Sequence, residues 1–129
     1  MQLKQEEHLY EFSTIRYVPR VEREEFVNVG LIMMCKRGRW IRSRVKVDDK
    51  RLSAFSGETD FTDLARQLDS FLDISQGVGK SPIAKLETHE RFRWLTAVRS
   101  ASIATSRPHP GKTPDLEGEF EKLWLELVE

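Results

Sequence analysis

Guanidinium groups and hydroxyls crowd one stretch of this chain: Arg91 and Arg93, then Arg99, Ser100, Ser102, Thr105 and Ser106, with His109 close behind. That mixture suits anion recognition. An arginine fork meets a carboxylate or phosphate through two parallel N–H···O bonds, and hydroxyls orient the remaining oxygens. The candidate binding residues are therefore Arg91, Arg99, Ser102, Thr105 and Ser106. Arg44, from an earlier basic row that also holds Arg42, joins them. A plainer account competes: Arg91 and Arg99 pair internally with Glu25 or Glu90, and the hydroxyls serve backbone groups.

Other chemistries find less support. Gly79-Lys80-Ser81 and Gly111-Lys112-Thr113 end like a phosphate-binding loop, but the earlier glycine of that pattern is replaced by Ile74 and Ser106. The first string also follows a helical pattern rather than a strand, and Pro82 comes directly after it. His8, His89 and His109 are scattered, without a cysteine pair or a His-x-x-x-His spacing, so no metal site is expected. No nucleophile-elbow motif is present, and Cys35 has no base adjacent in sequence. Glu24 and Glu25 are neighbours, so on a strand they point to opposite faces and make no carboxylate pair. The reading is no catalytic residue and no cofactor.

The composition narrows the class. Lys plus Arg and Asp plus Glu number 21 each, so no global field draws the chain to nucleic acid or to an anionic membrane. With 39% hydrophobic and 33% charged residues in 129, it reads as one soluble domain that needs no staples. Its single cysteine excludes an internal disulfide. With neither a signal peptide nor a long apolar run, the expected location is the cytoplasm.

The elements that must position these groups follow from periodicity. Residues 1–8 are a polar lead-in, and 9–129 are expected to form one domain. Leu9 to Val18 reads as a first strand, closed by Pro19. The organising strand is Phe26 to Cys35. Val27, Val29, Leu31 and Met33 form one apolar row; Phe26, Asn28, Gly30, Ile32 and Met34 form the other. An amide beside a glycine there points to another backbone in close approach, pinned by Asn28. Lys36 to Arg39 is a tight turn in which Gly38 is free to take positive φ. A third strand, Trp40 to Val47, alternates Ile41, Ser43, Val45 and Val47 with Trp40, Arg42, Arg44 and Lys46. The simplest reading of the basic row is a solvated or edge-protecting face.

Beyond Asp48 the period changes to 3.6. Arg51 to Phe55 suggests a short turn of helix. A longer helix, capped by Thr59 or Asp60, carries Phe61, Leu64, Ala65, Leu68, Phe71 and Leu72 and ends at Gly77 and Gly79. Ile83 to Leu86 reads as extended. Thr88 caps a short helix through Leu95, with Trp94 partly buried. Ser100 to Ser106 makes a fourth strand, Arg107 to Lys112 an irregular loop, and Thr113-Pro114 opens a final helix.

Tyr10-Glu11-Phe12, Ile15-Arg16-Tyr17-Val18-Pro19, Glu25-Phe26-Val27-Asn28-Val29-Gly30, Glu90-Arg91-Phe92-x-Trp94-Leu95 and Arg99-Ser100 before Thr105-Ser106 occur in this order. In these strings the chain resembles the bacterial family of unknown function DUF3037, from about Leu9 to the final helix. The resemblance implies no activity. It implies a partner role, since genes of the family adjoin those of HipA-like kinase-fold proteins. Of the motif positions, Glu25, Asn28, Gly30 and Trp94 are read as structural and Arg91, Arg99 and Thr105 as functional.

The fold expected is α+β: an antiparallel sheet of three or four strands with helices packed on one face and the C-terminal helix closing the core. The expected function is a small non-enzymatic module acting with a protein partner through an exposed patch near Trp40 or Trp124. The alternative is a phosphate- or carboxylate-recognising domain. Nucleic acid and membrane are not expected partners.

Overall fold

The computed structural model describes residues 6–97 and 102–129. Its centre is an antiparallel sheet with strands β1 (His8–Tyr17), β2 (Val27–Cys35), β3 (Trp40–Val45), β4 (Ile103–Thr105) and β5 (His109–Thr113). The order is β3, β2, β1. Both short strands then share the far side of β1: β5 pairs its first half and β4 its second. The helices are α1 (Asp49–Ser56), α2 (Thr62–Ser75), α3 (Thr88–Leu95) and α4 (Leu116–Leu127). The α+β class and the antiparallel sheet closed by a C-terminal helix are as the pattern predicts.

The helices divide between the two faces of the sheet rather than sharing one. On one face, α1, α2 and α3 bury Leu52, Leu64, Leu68, Phe71, Phe92 and Leu95 against Ile15, Tyr17, Val29, Ile32 and Met34. On the other, α4 buries Phe120, Leu123 and Trp124 against Tyr10, Leu31 and Met33. Strands covered on both faces read as continuous apolar runs, and Leu31 to Cys35 is such a run, every residue of it buried.

A bulge in β2 decides which residues share a face. Ile15 pairs with Gly30 but Arg16 pairs with Asn28, leaving Val29 as an extra residue. An inserted residue reverses the alternation beyond it. The row Val27, Val29, Leu31, Met33 is therefore broken: Val27 and Val29 face α1–α3, Leu31 and Met33 face α4. Gly30 lies at the closest backbone approach. A Cβ there would stand 2.7 Å from the Arg44 carbonyl oxygen and 2.8 Å from Val45 Cγ1. On the α4 side, Asn28 Nδ2 donates to the Leu127 carbonyl at 3.1 Å, holding the end of α4 to the sheet.

Local chemistry accounts for the departures from pattern. Asp48 caps α1 through the Arg51 amide, giving a full helix rather than a turn. Asp60 takes both the amide and the hydroxyl of Thr62, while the N-cap position itself is Phe61. Gly77 ends α2 at φ 74°, with Gly77 N on Ile74 O and Val78 N on Asp73 O, the paired bonds of a Schellman motif. Pro82 at the start of 82–85 and a Ser81 side-chain cap wind that segment into a 3₁₀ turn instead of a strand. Thr88 is the first residue of α3, and Glu87 is its cap position. Asp115, not Thr113, caps α4 through the Gly118 amide.

The stretch read as an irregular loop contains β5. Pro110 is tolerated because β5 is an edge strand, and Phe12 stacks on His109 across the pair at 5.2 Å. Gly38 does not adopt positive φ; Arg39 does, at 50°.

Candidate functional site

The arginine and hydroxyl candidates do not converge. Arg91 is half-buried, and its Nε donates to the Ser75 carbonyl (3.2 Å) and its Nη1 to the Leu86 carbonyl (2.6 Å). It thus ties the end of α2 to the 3₁₀ segment, and pairs with neither Glu25 nor Glu90. Ser106 is buried in the sheet: its Oγ accepts from the Thr14 amide at 2.9 Å, and its own amide donates to the Thr14 carbonyl. One extra residue separates β4 from β5 relative to β1, and this serine replaces a ladder acceptor at that irregularity. Thr105 pairs with Ile15 in β4, and Ser102 Oγ lies 3.5 Å from Gln67 Oε1. Arg99 lies outside the described residues.

Arg44 belongs to a different structure altogether. The basic row of β3 lies on the edge strand of the sheet, with Arg42 and Lys46 exposed as an edge-protecting row would be, and its charges reach across to α4. Trp40 Nε1 donates to Glu117 at 3.1 Å and Arg42 lies 3.8 Å from the same carboxylate. Arg44 forks onto Glu121, and Lys46 reaches Glu129 at 2.9 Å. The matching is geometric. Two strand residues advance about 6.7 Å and four helix residues about 6 Å, so Arg42 and Arg44 meet Glu117 and Glu121 in step. Hydrogen bonding to Arg44 holds the Glu121 carboxyl below its ordinary range, and hydrogen bonding to Lys46 does the same for Glu129. The acidic spacing on the last helix was the sequence signal for this zipper.

Glu25 is exposed and pairs with Arg23 at 3.0 Å in the turn before β2. Trp124 is buried, its Nε1 donating to Glu129, so neither it nor Trp40 forms an exposed patch. Among the described residues, the nearest approach to a metal-ligand set is Glu87, His89 and Glu90, with ligand atoms within 4.8 Å of one another. They share the first turn of α3, and the two carboxylates stand exposed in water, where such spacings are common without an ion.

An exposed apolar surface lies at Trp94. This residue is 40% exposed and stands at the rim of a half-open groove of about 270 Å³ between α2, α3 and β4. Phe71, Ile74, Leu95 and Ile103 form the apolar wall; Gln67, Ser70 and Thr105 supply the polar part. Among the described residues, Thr105 is the one sequence candidate that reaches it alongside Trp94. The rest were missed because Phe71 belongs to a stripe at helical spacing that reads as core, which on its inner side it is.

Among the described residues no helix is long and apolar enough to cross a membrane. A family model described as a protein of unknown function (DUF3037) matches residues 12–128. No curated protein and no solved structure matches the chain.

Proposed function

This chain belongs to the DUF3037 family of proteins of unknown function, and from that premise we propose that it is a non-enzymatic interaction module whose partner docks in the Trp94 groove. The observation that carries the reading is Trp94 itself: a large ring, 40% exposed, at the edge of a concave apolar surface. Partly exposed tryptophans over pockets are where interfaces concentrate their binding energy. Other exposed apolar side chains, such as Val78 and Leu125, are the scattered kind found on any protein surface.

The residues first considered for anion recognition favour this reading by default. Arg91 and Arg44 have carbonyl or carboxylate partners within the fold, and an arginine already engaged is a poor ligand for an external anion. Family resemblance makes a HipA-like kinase-fold protein the first partner to test.

The experiment is affinity capture of the tagged chain from its native host, repeated with a purified kinase-fold candidate. Trp94→Ala and Ser70→Arg, the latter at an exposed position on the groove wall, are expected to abolish capture while leaving the melting temperature near that of wild type. Capture of the same protein by both folded variants would overturn the assignment of the groove.

A further inference from the structure

Arg16 stands apart from the other arginines of the sheet. It projects from β1 on the α4 side, directly across from Asn28 at the bulge. Its guanidinium carbon lies 3.9 Å from the centre of the Phe26 ring. Among the described residues no carboxylate pairs with it and no carbonyl accepts from it, and its Nε is buried without a hydrogen-bond partner. Two more buried polar atoms without partners belong to the same face of the sheet: Asn28 Oδ1, and the hydroxyl of Thr14, a residue only 5% exposed.

This concentration needs a cause. Buried polar atoms in folded proteins are nearly always hydrogen-bonded, and an exception calls for an explanation such as a bound water, ion or ligand. Arg16 is half-buried, and the partial burial of its guanidinium lowers its pKa. Phe26 is 43% exposed, so the stacked pair lies open at its outer side. Stacking covers one face of the guanidinium but leaves its N–H edge in plane, the geometry that presents a bidentate fork.

We propose that Arg16, laid on Phe26 and backed by Thr14 and Asn28, is a binding site for an oxyanion, a carboxylate or a phosphate. The outer N–H groups of the fork take two oxygens, while the Thr14 hydroxyl and Asn28 Oδ1 are buried and do not themselves meet the ligand. The site is separate from the Trp94 groove and does not depend on it. Arg16, Phe26 and Asn28 all fall within the strings by which the chain resembles its family, but the sequence reading gave Arg16 and Phe26 no role.

The test is the melting temperature of the full chain titrated with inorganic phosphate in one arm and acetate in the other, at constant ionic strength. One of the two is expected to raise it saturably, and the arm that responds names the class of oxyanion. Arg16→Met is expected to keep the fold and to lose that response, since it removes the fork. Phe26→Leu is expected to keep the fold and weaken binding roughly tenfold. In the wild type, the NMR signal of Arg16 Nε–H is expected to shift with the same saturation curve. Three results would overturn the site: no response to either anion, the same response in Arg16→Met, or a wild-type Arg16 Nε–H signal that neither anion shifts.

Discussion

Arg44 grips Glu121 with both terminal nitrogens while its guanidinium carbon lies 5.1 Å from the ring centres of Phe120 and Trp124. One side chain thereby joins the polar zipper of β3 and α4 to the apolar core beneath it. The two roles separate by mutation. Glu121 is exposed, and exposed ion pairs contribute little, whereas the stem and ring contacts of Arg44 are partly sheltered. Arg44→Ala should therefore destabilise by roughly 1 kcal/mol through the lost ring contacts, and Glu121→Gln by distinctly less. Chemical denaturation of both variants and of the double variant checks this, and equal losses would contradict it.

The same pairing has a pH signature. The Glu121 and Glu129 carboxyls lie below their ordinary range in the folded chain, through hydrogen bonds to Arg44 and Lys46 respectively. A carboxyl with a lowered folded pKa binds fewer protons folded than unfolded, so stability rises with pH across that interval. The contribution is fully present above the unfolded carboxylate value and is lost as pH falls through the folded one. Denaturation midpoints measured from neutral to strongly acidic pH should fall on acidification, and Glu121→Gln with Glu129→Gln should flatten that fall. An unchanged slope in the double variant would place the acid sensitivity elsewhere.

Periodicity carried far in this chain, and its limits are physical. The stripe Leu64, Leu68, Phe71 is legible because a helix buried on one side must repeat near 3.6. The bulge at Val29 is not legible, because an apolar run buried on both faces looks the same whichever way each residue points. The edge strand β5 is hidden by its prolines, whose cost vanishes only at an edge that the sequence does not announce. The site suffered most. Arg91 and Ser106 have the right chemistry for an anion, but the carbonyls and amide that engage them are backbone groups, and a list of side chains shows none of these.

Gly30 offers a sharp test of packing. A methyl group there would meet the Arg44 carbonyl at 2.7 Å, Val45 Cγ1 at 2.8 Å and Ile15 Cδ1 at 3.0 Å. The first of these is backbone in the neighbouring strand and cannot rotate away. Gly30→Ala should cost about 2–3 kcal/mol, with the loss showing as a lower denaturation midpoint and as chemical-shift changes along β3. A loss below that of an ordinary surface substitution would mean that β2 and β3 separate more easily than their pairing suggests.

The β2–β3 turn makes the opposite prediction. Gly38 has no positive φ, while Arg39, one residue later, is left-handed at φ 50°. A Cβ on Gly38 would meet Cys35 Sγ at 3.5 Å, an ordinary contact. Gly38→Ala should therefore stabilise by roughly 0.4–1 kcal/mol through the unfolded chain, and Arg39→Gly should relieve strain of about 1 kcal/mol. Thermal melts of both variants decide it; a drop in both would show that the turn is held by contacts of the Arg39 side chain.

Arg91 is where a structural and a ligand-binding role diverge most clearly. Its guanidinium spans two carbonyls from separate segments, Ser75 at the end of α2 and Leu86 beyond the 3₁₀ turn. Gly77, left-handed at φ 74°, would place a Cβ 3.6 Å from the guanidinium, so the clamp also packs on the turn that ends the helix. Removing the arginine leaves both carbonyls without this charged donor, and Arg91→Ala should cost about 2–3 kcal/mol. A lysine carries its donors on one nitrogen and lacks the planar fork, so Arg91→Lys should recover less than half of that loss. Melts of the three proteins with and without phosphate distinguish the alternatives. A clamp predicts a large drop that phosphate leaves unchanged. A ligand arginine predicts near-normal stability in Arg91→Ala together with loss of a phosphate-dependent rise seen in the wild type.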